Sequence, residues 1–404
     1  MLTTLRKAEY AELVILFFIQ GAAMAIWFVP LGPILDAHGM HVIKPFAFAA
    51  NALAAFVSPL MFGAMADRHV PPARVLRWLA TATAVTMAVI ALAIQHGLNP
   101  WLVLALIQVF SLFYAPMFSI STALVLARLE NARKEFGPLR ALATIGWLIG
   151  GLLVSALNLD RSAGAVCLGA GFWLLVAGFT YFLPALEIPK SAEHLSWHER
   201  LGLDALTLLK NRNHRVVFLT TMLFSIPLAA FYPYAPTNLH DLGFAHTSAW
   251  MSLAQCSEVI AMFSLGWLLL KWPVKWVFAC ALGIGILRFT LSATNVELGL
   301  LLGIFLHGGS YTLAFITAAI YLDQRIDAAW RTRAQALLAL MNSGVGNFTG
   351  YLATGWWFNA CTPSTGTRWT IFWGGLAVVV GGVMIFFLAV YRTQGTGKLI
   401  KPGA

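Results

Sequence analysis

The chain has 404 residues, of which 59% are apolar and only 10% are charged, and its formal net charge at pH 7 is +10. Soluble domains carry roughly 25% charged residues, so this composition excludes a water-soluble enzyme, a disordered chain and a secreted disulfide scaffold. Because about 20 apolar residues form one helical span, the composition predicts a helical protein that crosses a membrane many times.

Twelve apolar runs of spanning length follow one another along the chain. We number them as predicted spans 1 to 12, and they lie near residues 12–35, 45–66, 78–97, 101–126, 140–158, 165–186, 215–236, 248–270, 276–294, 298–322, 335–358 and 370–391. The longest polar stretch, 187–214, separates spans 6 and 7 at the middle of the chain. We therefore predict an all-α membrane protein with a six-helix bundle over 1–189, a cytoplasmic linker over 190–214 and a second six-helix bundle over 215–404.

The lysine and arginine residues lie almost entirely in alternate loops. With both termini placed in the cytoplasm, 22 of the 26 basic residues fall on cytoplasmic segments, three (Lys44, Arg161 and Arg368) fall on outside loops, and Arg288 falls within a span. Cytoplasmic loops of membrane proteins carry such an excess of basic residues. The pattern predicts cytoplasmic termini and accounts for the positive net charge without nucleic acid as a partner.

Two loops at corresponding positions of the two halves have related sequences. The run from Gly63 through Asp67 to Arg68 reads Gly-Ala-Met-Ala-Asp-Arg after span 2, and the stretch 266–271 after span 8 reads Gly-Trp-Leu-Leu-Leu-Lys. The first resembles the Gly-x-x-x-Asp-Arg signature of the major facilitator superfamily, and the second resembles a degraded copy. With the six-plus-six arrangement, this resemblance implies the superfamily fold of two six-helix bundles around a central cavity, and a conformational role for this motif.

Three ionisable side chains lie near the middle of predicted spans. Glu258, Arg288 and His307 are about ten to twelve residues into spans 8, 9 and 10. Ionisable groups are costly in hydrocarbon and mark functional sites, and transporters of this architecture bind their substrates near the membrane midplane. Two structural alternatives stay open: an ion pair between Glu258 and Arg288, and a packing role for His307.

Helical spacing places polar and aromatic residues on one face of each of three spans. The faces are Arg140, Thr144 and Trp147 on span 5, Gln255 and Glu258 on span 8, and His307 and Tyr311 on span 10. Aromatic rings with amide or carboxylate groups suit a planar ligand rich in hydroxyl groups. We predict these seven residues as substrate contacts, although Arg140 could instead be only a basic anchor at the start of its span.

Longer stretches resemble the nucleoside:proton symporter family within the superfamily. They are 137–147 (GPLRALATIGW) in span 5, 197–211 (WHERLGLDALTLLKN) in the linker, 255–258 (QCSE) in span 8, 286–289 (ILRF) in span 9, and 331–335 (RTRAQ) and 341–346 (MNSGVG) around span 11. These blocks run in the order found in that family. The resemblance implies nucleoside ligands at Arg140, Thr144, Gln255 and Glu258.

The chain departs from the family pattern at several of the implied site positions. Aromatic character is kept at three of them, with different hydrogen-bonding groups: Trp147 in place of phenylalanine, His307 in place of tyrosine and Tyr311 in place of phenylalanine. Thr312 stands where the family has a carboxylate in span 10, which bears on proton coupling. Ala229 and Tyr232 stand where the family has amide side chains in span 7, which bears on nucleoside specificity.

The resemblance implies proton-coupled nucleoside uptake by alternating access in a bacterial inner membrane. Glu258 is the predicted proton carrier, because a buried carboxyl group binds a proton more readily than an exposed one. Arg288 or Arg140 would favour the ionised form of Glu258 in one conformation, and His307 is the remaining titratable group to share the task. The expected partners are the substrate, the proton and the bilayer, and the expected protein is a monomer.

Other functions are weighed against this one. A proton-coupled transporter of a sugar, a glycoside or another polar metabolite is the main alternative, because the substituted positions of span 7 favour it. A drug exporter is a further alternative, since the site has few charges and many aromatic rings. We expect neither an enzyme nor a cofactor or metal site, because the sequence has no catalytic triad or phosphate loop and the four cysteines lack metal-ligand spacing.

Overall fold

The computed structural model describes residues 10–58, 70–126, 128–129, 132–183 and 203–393. Over these ranges the chain consists of helices joined by turns and contains no β-strand. The residues form two compact units. The first contains the described residues up to 183 together with 245–252, and the second contains 203–244 and 253–393.

The first half of the chain supplies the helices α1 to α8. Their bounds are α1 Ala11–Phe28, α2 Leu31–Ala37, α3 Lys44–Ser58, α4 Pro72–Gln95, α5 Pro100–Tyr114, α6 Met117–Leu126, α7 Ala132–Ala156 and α8 Gly164–Phe179. Proline explains two of the interruptions, because its ring blocks the regular hydrogen bond of a helix interior. Pro30 lies between α1 and α2, and Pro116 lies between α5 and α6.

The second half supplies the helices α9 to α18. Their bounds are α9 Arg212–Leu228, α10 Phe231–Asp241, α11 Thr247–Met251, α12 Leu253–Lys271, α13 Val274–Ala293, α14 Glu297–Tyr311, α15 Thr317–Arg325, α16 Ala328–Ala339, α17 Asn347–Ala360 and α18 Trp369–Val390. Two π-helical segments, Thr312–Ile316 and Leu340–Gly346, join α14 to α15 and α16 to α17. The predicted linker boundary at 214/215 falls inside α9, and the one at 189/190 lies outside the described residues.

Many of these helical stretches have the length and hydropathy of membrane spans. Nine such stretches occur in the described parts of the chain: 11–37, 72–95, 100–126, 139–156, 212–241, 247–271, 274–293, 297–325 and 369–390. Two shorter apolar helices cover His41–Val57 and Gly164–Phe179. The prediction of an all-α, multi-pass membrane protein is therefore confirmed.

Helices α1 and α7 approach each other so closely that only glycine fits at the contact. A Cβ atom at Gly150 would lie 2.6 Å from the carbonyl oxygen of Ala22, and one at Gly146 would collide with the carbonyl oxygen of Phe18. Small residues permit this backbone approach between spanning helices. The contact fixes the position of α7, which carries three of the predicted site residues.

The short helix α11 is bound to the first unit by a buried carboxylate. Oδ1 of Asp160, in the turn between α7 and α8, accepts hydrogen bonds from the backbone N–H of Ser248 at 2.7 Å and from the hydroxyl of Ser155 at 2.9 Å. The Ser155 hydroxyl in turn accepts the N–H of Ala249 at 2.9 Å. The first N–H groups of a helix have no partner within the helix, so these two side chains cap α11.

Candidate functional site

A break in the helix of predicted span 7 positions the centre of the site. Pro227 near the end of α9 precedes a turn at Ala229 and Ala230, and α10 starts at Phe231. The second position of α10 is Tyr232. The break thus places two aromatic rings in the first turn of α10, and both contact residues of other helices in the second unit.

Tyr232 interacts with both polar residues predicted on span 8. Its hydroxyl shares a hydrogen bond with the side chain of Gln255, and it interacts electrostatically with the carboxylate of Glu258. Gln255 is buried and Glu258 is half-buried on α12. The predicted i, i+3 pair therefore lies on one face, as expected, and that face points toward Tyr232.

His307 on α14 lies between an aromatic ring and a guanidinium group. Its ring stacks on Phe231, with centroids 3.7 Å apart and planes inclined by 12°. The Arg288 side chain donates a hydrogen bond to Nδ1 of His307. Because a guanidinium group can only donate, Nδ1 is an acceptor, and the ring proton of the neutral imidazole resides on Nε2. These contacts are compatible with the alternative that His307 is a hydrogen-bonded packing residue.

Arg288 is almost completely buried, with 1% of its side chain exposed. Its guanidinium carbon lies 4.9 Å from the ring centroid of Phe231 and 4.5 Å from that of Phe289, which are cation–π distances. Its hydrogen bond to the imidazole of His307 adds to these contacts.

The helices that carry Glu258 and His307 are held in direct contact. Ser257 donates a hydrogen bond from its hydroxyl to the carbonyl oxygen of Phe305, and accepts one from the N–H of Gly309 at 3.0 Å. A Cβ atom at Gly308 would collide with the backbone of α12. This contact fixes the spacing between the polar face of α12 and the aromatic face of α14.

Further aromatic residues complete the cluster of the second unit. Tyr311 follows His307 by one turn, with ring centroids 6.3 Å apart, and 41% of its side chain is exposed. We call Tyr232, Gln255, Glu258, Arg288, His307 and Tyr311 the polar cluster.

The site residues predicted on span 5 belong to the first unit. Arg140 places its guanidinium carbon 4.5 Å from the ring centroid of Phe118, Thr144 is buried, and Trp147 has its ring centroid 6.0 Å from that of Phe28. They form one stripe along α7, as their spacing predicts. The conformational motif of Gly63, Asp67 and Arg68 lies outside the described residues.

Sequence reasoning did not select two members of this arrangement as site residues. Phe231 was not identified at all, and Tyr232 was noted only as a departure from a family pattern. The signal that could have identified them is the proline break before them, because a broken spanning helix lines sites in many transporters. Within the described residues, no three His, Cys, Asp or Glu side chains group as a metal site requires.

Comparison with known proteins decides the family. Residues 8–396 match the family described as "Nucleoside H+ symporter". The chain belongs to this family. A putative nucleoside transporter of Escherichia coli K12, YegT, is 30% identical over 403 residues, which cover 95% of this chain and 93% of that protein.

Solved transporter structures share the fold. The crystal structure of the nucleoside transporter NupG matches with a TM-score of 0.85 at 24% identity, covering 96% of this chain and all of that one. The D-xylose-proton symporter matches with a TM-score of 0.72 at 13% identity over 98% of this chain and all of that one. The predicted family and the all-α transporter fold are confirmed, while the count of twelve spans and the cytoplasmic termini stay predictions. The protein is a transporter, not an enzyme.

Proposed function

We propose that the protein imports nucleosides together with protons, by alternating access across a bacterial inner membrane. Its membership of the nucleoside H+ symporter family supports this proposal. The observation that carries it is the hydrogen bond between Tyr232 and Gln255, with Glu258 in electrostatic contact, beside the aromatic rings of α10 and α14. Amide, carboxylate and phenol groups bind the edges of a base or the hydroxyl groups of a ribose, and aromatic rings stack on a base.

Each substrate contact has a specific proposed role. Gln255 and Glu258 accept hydrogen bonds from the nucleoside or donate hydrogen bonds to it. The exposed face of Tyr311 supplies a stacking surface. On the first unit, Arg140, Thr144 and Trp147 keep the ligand roles that the family resemblance implies. The family assignment favours this substrate class over the alternative of a sugar or a glycoside.

Proton coupling is proposed to depend on Glu258. The carboxylate takes up a proton while the site is open to the outside. It stays protonated while the loaded site changes its access, and it releases the proton when the site opens to the inside. Arg288, which donates a hydrogen bond to His307, is proposed to favour the ionised form of Glu258 in one conformation. His307 is proposed to share the proton-carrying task, because Thr312 replaces the carboxylate of the family pattern. The transporter is proposed to work as a monomer, driven by the proton gradient without a cofactor.

Uptake into proteoliposomes tests the proposal. With an inward proton gradient, labelled uridine should accumulate, and unlabelled adenosine should compete while methyl glucoside should not. Glu258→Gln should abolish gradient-driven accumulation but keep exchange of labelled for unlabelled uridine, because glutamine preserves hydrogen bonding without carrying a proton.

The control is Glu297→Gln, at an exposed acid in the first turn of α14. This variant should accumulate uridine like the unaltered protein. Intact accumulation by Glu258→Gln would disprove the proton assignment. Competition by the glucoside but not by nucleosides would instead overturn the substrate class.

A further inference from the structure

An open apolar groove lies where α12 ends and α13 begins, in the second unit. Its volume is about 410 Å³, and its walls are Trp272, Pro273, Trp276, Ala279 and Cys280. None of these side chains belongs to the polar cluster. The groove thus offers a ligand an apolar surface that includes two indole rings.

The two indole rings mark this place as a membrane interface. Trp272 is 41% exposed in the bend before α13, and Trp276 is 57% exposed in the first turn of α13. Tryptophan is enriched where the hydrocarbon core meets the head groups, because its ring is apolar and its N–H can donate a hydrogen bond. The groove therefore opens at the depth where lipid head groups meet acyl chains.

Two lysines lie next to the groove tryptophans along the chain. The ammonium group of Lys271 lies 4.3 Å from the ring centroid of Trp267, and that of Lys275 donates a hydrogen bond to the carbonyl oxygen of Leu388 at 3.1 Å. The stretch 259–296 contains no aspartate or glutamate. The loop thus presents two positive charges beside an apolar groove, and each ammonium group contacts a neighbouring part of the chain.

The distribution of basic residues predicts that this loop lies on the cytoplasmic side, where the membrane surface is negatively charged. A neutral lipid would gain only the apolar contact, and a free phosphate ion only the charge contact. We propose that the groove binds an anionic phospholipid of the cytoplasmic leaflet, with an acyl chain between Trp272 and Trp276 and the phosphate near Lys271 and Lys275.

Native mass spectrometry of the purified protein, released from nanodiscs of equal parts phosphatidylglycerol and phosphatidylcholine, tests this inference. The unaltered protein should retain phosphatidylglycerol in preference to phosphatidylcholine. The double variant Lys271→Gln with Lys275→Gln should reduce that preference at least about fivefold, because each lysine near an anionic surface contributes to binding. Trp272→Leu with Trp276→Leu should reduce retention of both lipids.

The control is Trp101→Leu, which removes an exposed indole at the start of α5, packed against Phe46. It should leave the retained lipids unchanged. Equal retention of the two lipids by the unaltered protein, or an unchanged preference in the lysine variant, would overturn the proposal. Thermal unfolding of each variant verifies its fold, and because the readout contains no substrate, the result is independent of nucleoside transport.

Discussion

At the scale of single residues, the hydroxyl of Tyr232 connects the groups proposed to bind the substrate. It shares a hydrogen bond with Gln255 and lies in the electrostatic field of Glu258. A phenol can both donate and accept, so this bond determines which atoms of the Gln255 amide stay available to a ligand. Tyr232 is in this sense a positioning residue for Gln255.

Replacement of Tyr232 by phenylalanine tests this role. The ring and its contacts with Phe231 and His307 are kept, but Gln255 loses one hydrogen-bond partner. We expect the KM for uridine uptake to rise about three- to tenfold, which corresponds to one hydrogen bond, with a smaller change in kcat. Uptake kinetics in proteoliposomes measure both constants.

Tyr181→Phe is the matched control, because Tyr181 is an exposed tyrosine in the first unit beside Arg77. Its KM should not change. A Tyr232→Phe protein with unaltered KM, or with kcat and KM reduced together, would show that the hydroxyl does not position Gln255.

At the scale of helices, the contact between α12 and α14 sets the geometry of the polar cluster. A Cβ atom at Gly308 would collide with the carbonyl oxygen of Ala254 and with Glu258, whereas one at the adjacent Gly309 would meet no atom within 4 Å. Gly308→Ala should therefore force the helices apart and lower the free energy of unfolding by about 1–3 kcal/mol.

Gly309→Ala is the control one residue away, and it should unfold at the temperature of the unaltered protein or slightly above it, because alanine favours a helix more than glycine does. Thermal unfolding in the same detergent compares the two variants. Equal unfolding temperatures for both would mean that α12 and α14 can separate without cost.

Helix-scale features differ in how well the sequence predicts them. Apolar length and helical spacing predicted the spans and the shared face of Gln255 and Glu258, since both depend only on local periodicity. The stacking of His307 on Phe231 depends on a break after Pro227 and on the packing of α10 against α14. Proline indicates the break locally, but the packing of α10 against α14 is a tertiary contact that no local pattern encodes.

At the scale of the whole molecule, the excess of basic residues in alternate loops predicts the orientation in the membrane. A green fluorescent protein fused after residue 404 should fluoresce, because green fluorescent protein forms its fluorophore when it folds in the cytoplasm. The same protein inserted after Arg161, in a loop predicted to lie outside, should not. Fluorescence of whole cells, divided by the amount of each fusion measured on gels, tests this orientation. The reverse pattern would show that the predicted orientation is wrong.

The division of the molecule was less accessible to sequence reasoning than its orientation. The polar stretch 187–214 suggests two halves that follow each other along the chain. In the structure, residues 245–252 group with the first unit although they follow α10 of the second. The hydrogen bonds that cause this grouping join Asp160 and Ser155 to the backbone of Ser248 and Ala249, which are far away in sequence.

The capping of α11 by Asp160 has a consequence for synthesis on the ribosome. When the chain has emerged only as far as residue 194, the buried carboxylate of Asp160 still lacks the N–H group of Ser248, its closest partner. A fragment ending there would leave this acid with the Ser155 hydroxyl but without its principal donor. The first unit is therefore completed only after residue 252 has been translated, when part of the second has already entered the membrane.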